Sequence, residues 1–114
     1  MNAPAVQRLS ADVCVAGQLD VAAMAWAAHA GFKSVVNNRP DFEGGPDQPT
    51  SATIQAAAEA AGLRYVHLPV SPSVHTPQEI ARFAELLTEL PKPLLAFCRS
   101  GARSNRLFSA AQQA

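Results

Sequence analysis

Charge is scarce in this chain, and what there is cancels. Of 114 residues only 16% are charged, with nine Lys and Arg set against nine Asp and Glu. No net field is left to draw the chain onto nucleic acid or an anionic lipid surface, so neither is expected as a partner. Cysteine is scarcer still. Cys14 and Cys98 lie far apart with no CxxC pair, which excludes a disulfide framework and leaves two free thiols expected. His29, His67 and His75 are too scattered for a metal-ligand pattern, so no metal and no cofactor is expected. No apolar run approaches the roughly 20 residues of a membrane-spanning helix. Met1 to Gly17 lacks the basic start and apolar stretch of a signal peptide, and the cytoplasm is the expected location.

What the chain does have is apolar material: 48% of it is hydrophobic, enough for one core stabilised by burial. The length suits a single unit over 1–114. Alanine-rich helical stretches alternate with short β-branched runs, the pattern of an α/β fold with a small, mostly parallel sheet flanked by helices. Asp20 caps a helix over 21–30 that stops at Gly31, and a strand follows from Ser34 to Asn37. Pro49-Thr50-Ser51 opens a second helix that runs to Ala61, with Arg64 to Pro69 as the next strand. Thr76, Pro77 and Glu79 form a capping box for a third helix, whose inward stripe reads Ile80, Phe83, Ala84 and Leu87. Leu94 to Phe97 is a continuous apolar run, as in a strand covered on both faces, and a last helix is expected from about Arg103 to Gln113. Val13-Cys14-Val15 reads as a buried strand, so Cys14 is taken as an inert structural thiol.

Cys98 follows the central strand directly and precedes a helix. That puts its sulfur at the carboxyl edge of the sheet, where open α/β folds bind ligands. In Cys98-Arg99-Ser100-Gly101-Ala102-Arg103-Ser104 the backbone can curl so that successive N–H groups meet one anion, with Gly101 permitting the tight turn. The Arg103 guanidinium is a planar fork suited to an oxyanion, and the same field lowers the thiol pKa. Cys98 and Arg103 are therefore the expected catalytic pair; Arg99, Ser100, Gly101, Ala102 and Ser104 are expected to bind substrate. Ser104 is either a donor to the thiolate or an ordinary early helix residue. Arg99 faces solvent or substrate.

Two motifs carry a resemblance. Asn37-Asn38-Arg39-Pro40-Asp41, followed by Glu43, and Cys98-Arg99-Ser100-Gly101-x-Arg103-Ser104 resemble the bacterial phosphatase-like family found alone or fused to metallo-β-lactamase-type hydrolases. Gln18 and the run Tyr65 to Val70 extend the likeness over nearly the whole chain. The resemblance implies a cysteine-based, dual-specificity tyrosine phosphatase-like fold with Cys98 as nucleophile and Arg103 as anion ligand.

Departures from the tyrosine phosphatase pattern direct the functional expectation. Those enzymes place His before the cysteine and five residues between Cys and Arg, whereas here Phe97 precedes and four intervene. They also use an Asp on a separate loop as general acid, and no Asp follows Asp47. His75 is a substitute acid or, as favoured, a surface histidine; Asp41 is an acid or, as favoured, orders the loop together with Glu43 and Arg39. A four-residue gap resembles the loop of rhodanese-type sulfurtransferases, whose sulfite or thiolate leaving group needs no strong acid. The expected function is thus sulfur transfer through a Cys98 persulfide, taken from thiosulfate or a low-molecular-weight persulfide. Expected partners are a small anionic sulfur donor, a metallo-β-lactamase-fold hydrolase acting as a persulfide dioxygenase, or a thiol reductant. The alternatives are a phosphatase that cleaves a phosphate ester through a phosphocysteine, and a non-catalytic anion or persulfide sensor.

Overall fold

The structure is a computed structural model that describes residues 3–113. Met1, Asn2 and Ala114, included in the expected unit, lie outside the described residues. Nine elements follow in order: β1 (Val6–Arg8), β2 (Val13–Ala16), α1 (Val21–His29), β3 (Ser34–Asn37), α2 (Ser51–Ala60), β4 (Arg64–His67), α3 (Pro77–Glu89), β5 (Leu94–Phe97) and α4 (Ala102–Gln113). The strands form one sheet in the order β1-β2-β5-β3-β4. β2, β5, β3 and β4 are parallel, and β1 runs antiparallel along the β2 edge. The expected mostly parallel α/β sheet is therefore present.

Alternation along the strands builds two cores. Side chains of successive strand residues point to opposite faces, so Val35, Leu95 and Phe97 pack with Met24, Ala27, Ile54 and Ala58 from α1 and α2. Val36, Leu94 and Ala96 pack on the other side with Phe83, Leu86 and Leu107 from α3 and α4. β5 is central and buried at every position, which is why it reads as an unbroken apolar run.

The caps at Asp20 and Thr76 form as expected, including the reciprocal capping box between Thr76 and Glu79. Four details differ. β1 was not anticipated, because its three residues are exposed and carry no apolar alternation. β4 ends at His67 and not Pro69; Leu68 and Val70 still donate backbone bonds to Asn37 and Asn38, but Pro69 has no N–H to continue the ladder. α4 starts one residue early, at Ala102. The inward face of α3 centres on Phe83 and Leu86, with Ile80, Ala84 and Leu87 only half-buried, since α3 packs on α4 as well as on the sheet. Cys14 is half-buried in β2, opposite Leu95 and three residues back along the sheet from Cys98. At about 3.3 Å per residue that separation is roughly 10 Å, too far for a disulfide, and both thiols are free.

Because the four parallel strands end at one edge of the sheet, the segments after β2, β3, β4 and β5 converge there. These carry Gln18, Asn38 with Arg39, Val70, and Cys98.

Candidate active site

The backbone at the end of β5 is pinned before the loop begins. Cys98 N–H donates to Ala16 O at 3.3 Å, and Gln18 N–H donates to Arg99 O at 3.2 Å. The chain then turns through Gly101 at φ 94, where a Cβ would lie 3.4 Å from the Ala16 carbonyl. Both the left-handed conformation and the close approach call for glycine. The turn brings Gly101 N–H to within 3.1 Å of Cys98 Sγ. Cys98 itself is buried and lines a cavity of about 640 Å³.

Burial alone would raise the Cys98 pKa. It is outweighed by the donors around the sulfur, the Ser104 N–H and hydroxyl and the Ser100 and Gly101 N–H groups, and the thiol ionises below its ordinary 9.0. The Ser104 hydroxyl has a single hydrogen to give. In this structure it gives that hydrogen to Asn38 Oδ1 at 2.8 Å, with the Cys98 sulfur on its other side. Asn38 is fixed in turn by its Nδ2–H donating to Leu68 O at 3.0 Å.

Arg103 lies in the first turn of α4 and is buried. Its Nη1 donates to Val70 O at 3.3 Å and its Nη2 to Glu43 Oε1 at 3.0 Å, while its enclosed Nε has no partner. The same Glu43 oxygen accepts from Arg39 Nε at 2.9 Å, and Arg39 Nη1 reaches Gln18 Oε1 at 3.0 Å. Burial opposes ionisation of Glu43, but the hydrogen bonds and charges of Arg103 and Arg39 hold its carboxyl below the ordinary 4.5. It is an anion clamped between two cations. An unfilled N–H on a buried guanidinium carries a desolvation cost.

The expected site residues fall into two groups. Cys98, Arg99, Ser100, Ala102, Arg103 and Arg39 meet on the cavity wall, and Gly101 and Ser104 lie buried behind it. Asp41 and His75 do not reach the wall. Asp41 Oδ1 accepts from Ser51 N–H at 2.8 Å, at the first turn of α2, so it holds the start of that helix. His75 is half-buried, with an enclosed Nε2 that has no partner. Burial, then the charge of Arg106, depresses its pKa below 6.5; Glu79 opposes and Arg103 adds to the effect. Two features escaped the sequence reading. Arg106 lines the cavity, and its signal was spacing, three residues after Arg103 on the same helix. The Glu43 bond to Arg103 spans 60 residues and has no local signal.

Residues 5–114 match the family model described as the phosphatase-like domain of beta-lactamase hydrolase-like protein. The chain belongs to this family. A beta-lactamase hydrolase-like protein from Agrobacterium fabrum is 36% identical over 101 residues, which cover 89% of this chain and 23% of the relative. This chain thus spans about a quarter of that relative's length. The crystal structure of a candidate phosphatase from Neisseria meningitidis superposes with a TM-score of 0.82 at 31% identity, over 89% of this chain and 71% of the other. Tk-PTP in its active form gives a TM-score of 0.67 at 18% identity, over 96% of this chain and 82% of the other, which shows the fold. The fold is that of the cysteine-based tyrosine phosphatases, as the resemblance implied. These likenesses favour the phosphatase alternative over the sulfurtransferase expectation. Among the described residues no helix is long and apolar enough to cross a membrane.

Proposed function

We propose that the chain is a cysteine-dependent phosphatase. The observation that carries this reading is the pairing, on one cavity wall, of a thiol stabilised as thiolate with a buried guanidinium whose Nε lacks a partner. Cys98 is the nucleophile. The loop N–H groups from Ser100 to Ser104 and Arg103 bind the phosphoryl oxygens as charge builds on them, with Arg99 at the rim. Attack forms an S–P bond and expels the leaving oxygen; water then attacks phosphorus, breaks the S–P bond and restores the thiolate. The Ser104 hydroxyl, turned from Asn38 to sulfur, stabilises that departing thiolate. The two free thiols fit a reducing compartment, and the cytoplasm is part of the proposal. So is a metallo-β-lactamase-fold hydrolase, fused or separate, as partner.

The test is turnover of p-nitrophenyl phosphate with rapid acid quench and mass spectrometry. Phosphate on Cys98, absent in Cys98→Ser, with turnover lost in Arg103→Ala, supports the reading. Reduced, reactive Cys98 without turnover refutes it.

A second reading, sulfur transfer, is favoured by one observation: only four residues separate Cys98 from Arg103, and the one carboxylate on the cavity wall is already bound to two arginines. Cys98 would then take the sulfane sulfur of thiosulfate or a low-molecular-weight persulfide, breaking the donor S–S bond with release of sulfite or a thiolate, and pass it to a thiol reductant as acceptor. Gain of one sulfur at Cys98 from thiosulfate, removed by cyanide, supports it; no gain on a reduced thiol counts against it.

A further inference from the structure

The cavity above Cys98 is more cationic than a single phosphoryl group requires. Four arginines, Arg39, Arg99, Arg103 and Arg106, face one carboxylate, Glu43, in a chain whose formal charges cancel. Arg39 and Arg103 are buried and share Glu43. Arg99 and Arg106 are exposed, and neither has an acidic partner among the described residues. Arg106 instead gives Nη2 to the neutral Pro72 carbonyl at 2.8 Å. Arg99 directly follows Cys98, and Arg106 lies three residues beyond Arg103 in α4. Two guanidiniums at the mouth are thus left over after the loop is filled.

What the wall lacks points to the same ligand. Glu43 is held by two arginines, Asp41 is engaged at the start of α2, and His75 does not line the cavity. None of them is placed to protonate a leaving oxygen, so the leaving group must be stable as an anion. An alkoxide is not; a phosphate is, since its second pKa is about 6.

We propose that the substrate is a diphosphate, its terminal phosphoryl group on the Cys98 loop and its inner phosphate, the leaving group, held by Arg99 and Arg106. This rests on the phosphatase reading and adds the substrate class. Cys98 Sγ bonds to the terminal phosphorus as the bridging P–O bond breaks, and the electron pair departs on the inner phosphate without a proton. Water then bonds to the same phosphorus, the S–P bond breaks, and both hydrogens of the water leave on inorganic phosphate as the thiolate returns.

The matched probes are adenosine 5′-diphosphate, which offers a terminal anhydride, and adenosine 5′-monophosphate, which offers only an alkyl ester. Phosphate release is measured for both, with p-nitrophenyl phosphate as a third substrate. The expected kcat/KM for the diphosphate exceeds that for the monophosphate by at least about tenfold, because binding energy at the leaving group is realised in the transition state. In Arg99→Ala/Arg106→Ala this ratio falls about tenfold, the worth of a charge-assisted contact, and the loss on the aryl ester is smaller than on the diphosphate. Circular dichroism of the variant checks its fold. Equal rates on the two nucleotides, or a ratio that the double substitution does not move, overturn the diphosphate assignment. If p-nitrophenyl phosphate is hydrolysed in that case, the phosphatase reading stands; if no phosphate compound is hydrolysed, both fall.

Discussion

Replacing Glu43 by glutamine separates positioning from electrostatics. One carboxylate oxygen takes hydrogen bonds from Arg39 Nε at 2.9 Å and Arg103 Nη2 at 3.0 Å, and both guanidiniums are buried. Glutamine keeps the shape and an acceptor oxygen but removes the charge. Hydrogen bonds to charged groups contribute about 1.5–3 kcal/mol each. The Glu43 side chain is 21% exposed to the open cavity, so screening reduces the expected loss of stability to about 1–2 kcal/mol in total. Its pH dependence has a definite sign. A carboxyl depressed below its ordinary 4.5 stabilises the fold fully above that value and loses the contribution as pH falls through its lower folded pKa. Urea unfolding should therefore show a gap between wild type and Glu43→Gln at pH 7 that closes on acidification below 4.5. Kinetically the two effects oppose. Removing the one carboxylate on the wall favours anion binding, so KM for p-nitrophenyl phosphate stays level or falls. Loosening Arg103 lowers kcat by about tenfold, or about 1.4 kcal/mol of transition-state stabilisation. A raised KM with kcat intact, or a stability gap that persists unchanged at pH 3, would refute the reasoning.

Alkylation of Cys98 by iodoacetamide against pH should give a midpoint below 9.0, because the Ser104, Ser100 and Gly101 donors outweigh burial. Ser104→Ala should move it upward, and a midpoint that does not move would remove the Ser104 hydroxyl from the set of donors. Gly101→Ala forces a side chain into φ 94 with a contact at 3.4 Å to Ala16, at an expected cost of about 1–3 kcal/mol by thermal unfolding; a wild-type Tm would contradict the loop geometry. An NMR titration of His75 should give a midpoint below 6.5, set by burial and then by Arg106, and Arg106→Ala should raise it.

The legible parts of this chain were those with short-range physics. Caps at Asp20 and Thr76, the apolar run of β5 and the glycine three residues after Cys98 each declare themselves within a few positions. The expected α3 stripe does face the core, with Phe83 buried and Ile80 and Leu87 packed at its margin, but Leu86 was missed because helix periodicity fixes a stripe only to within one side chain. β1 lay beyond reach since pairing with β2 supplies its structure, as backbone bonds that carry no side-chain signature. In the site, local spacing found Cys98 and Arg103, but the two carboxylates near Arg39 look equivalent in sequence. Their roles separate only in three dimensions, where Asp41 turns to the α2 amide and Glu43 reaches Arg103 across the sheet edge.

That division of labour also explains how the Arg103 fork is presented. A guanidinium has five N–H donors. Val70 O takes one and Glu43 takes another, from different terminal nitrogens, which fixes the plane of the group and leaves Nε and the remaining terminal hydrogens for an anion. A long side chain immobilised in advance loses little entropy when it binds, so its contacts favour the transition state rather than repay ordering. The two anchors come from different places, the turn after β3 and the segment after β4, while the arginine itself comes from the first turn of α4. Each is positioned by a parallel strand or helix whose own core is independent of the ligand, so the cavity is shaped before any anion arrives.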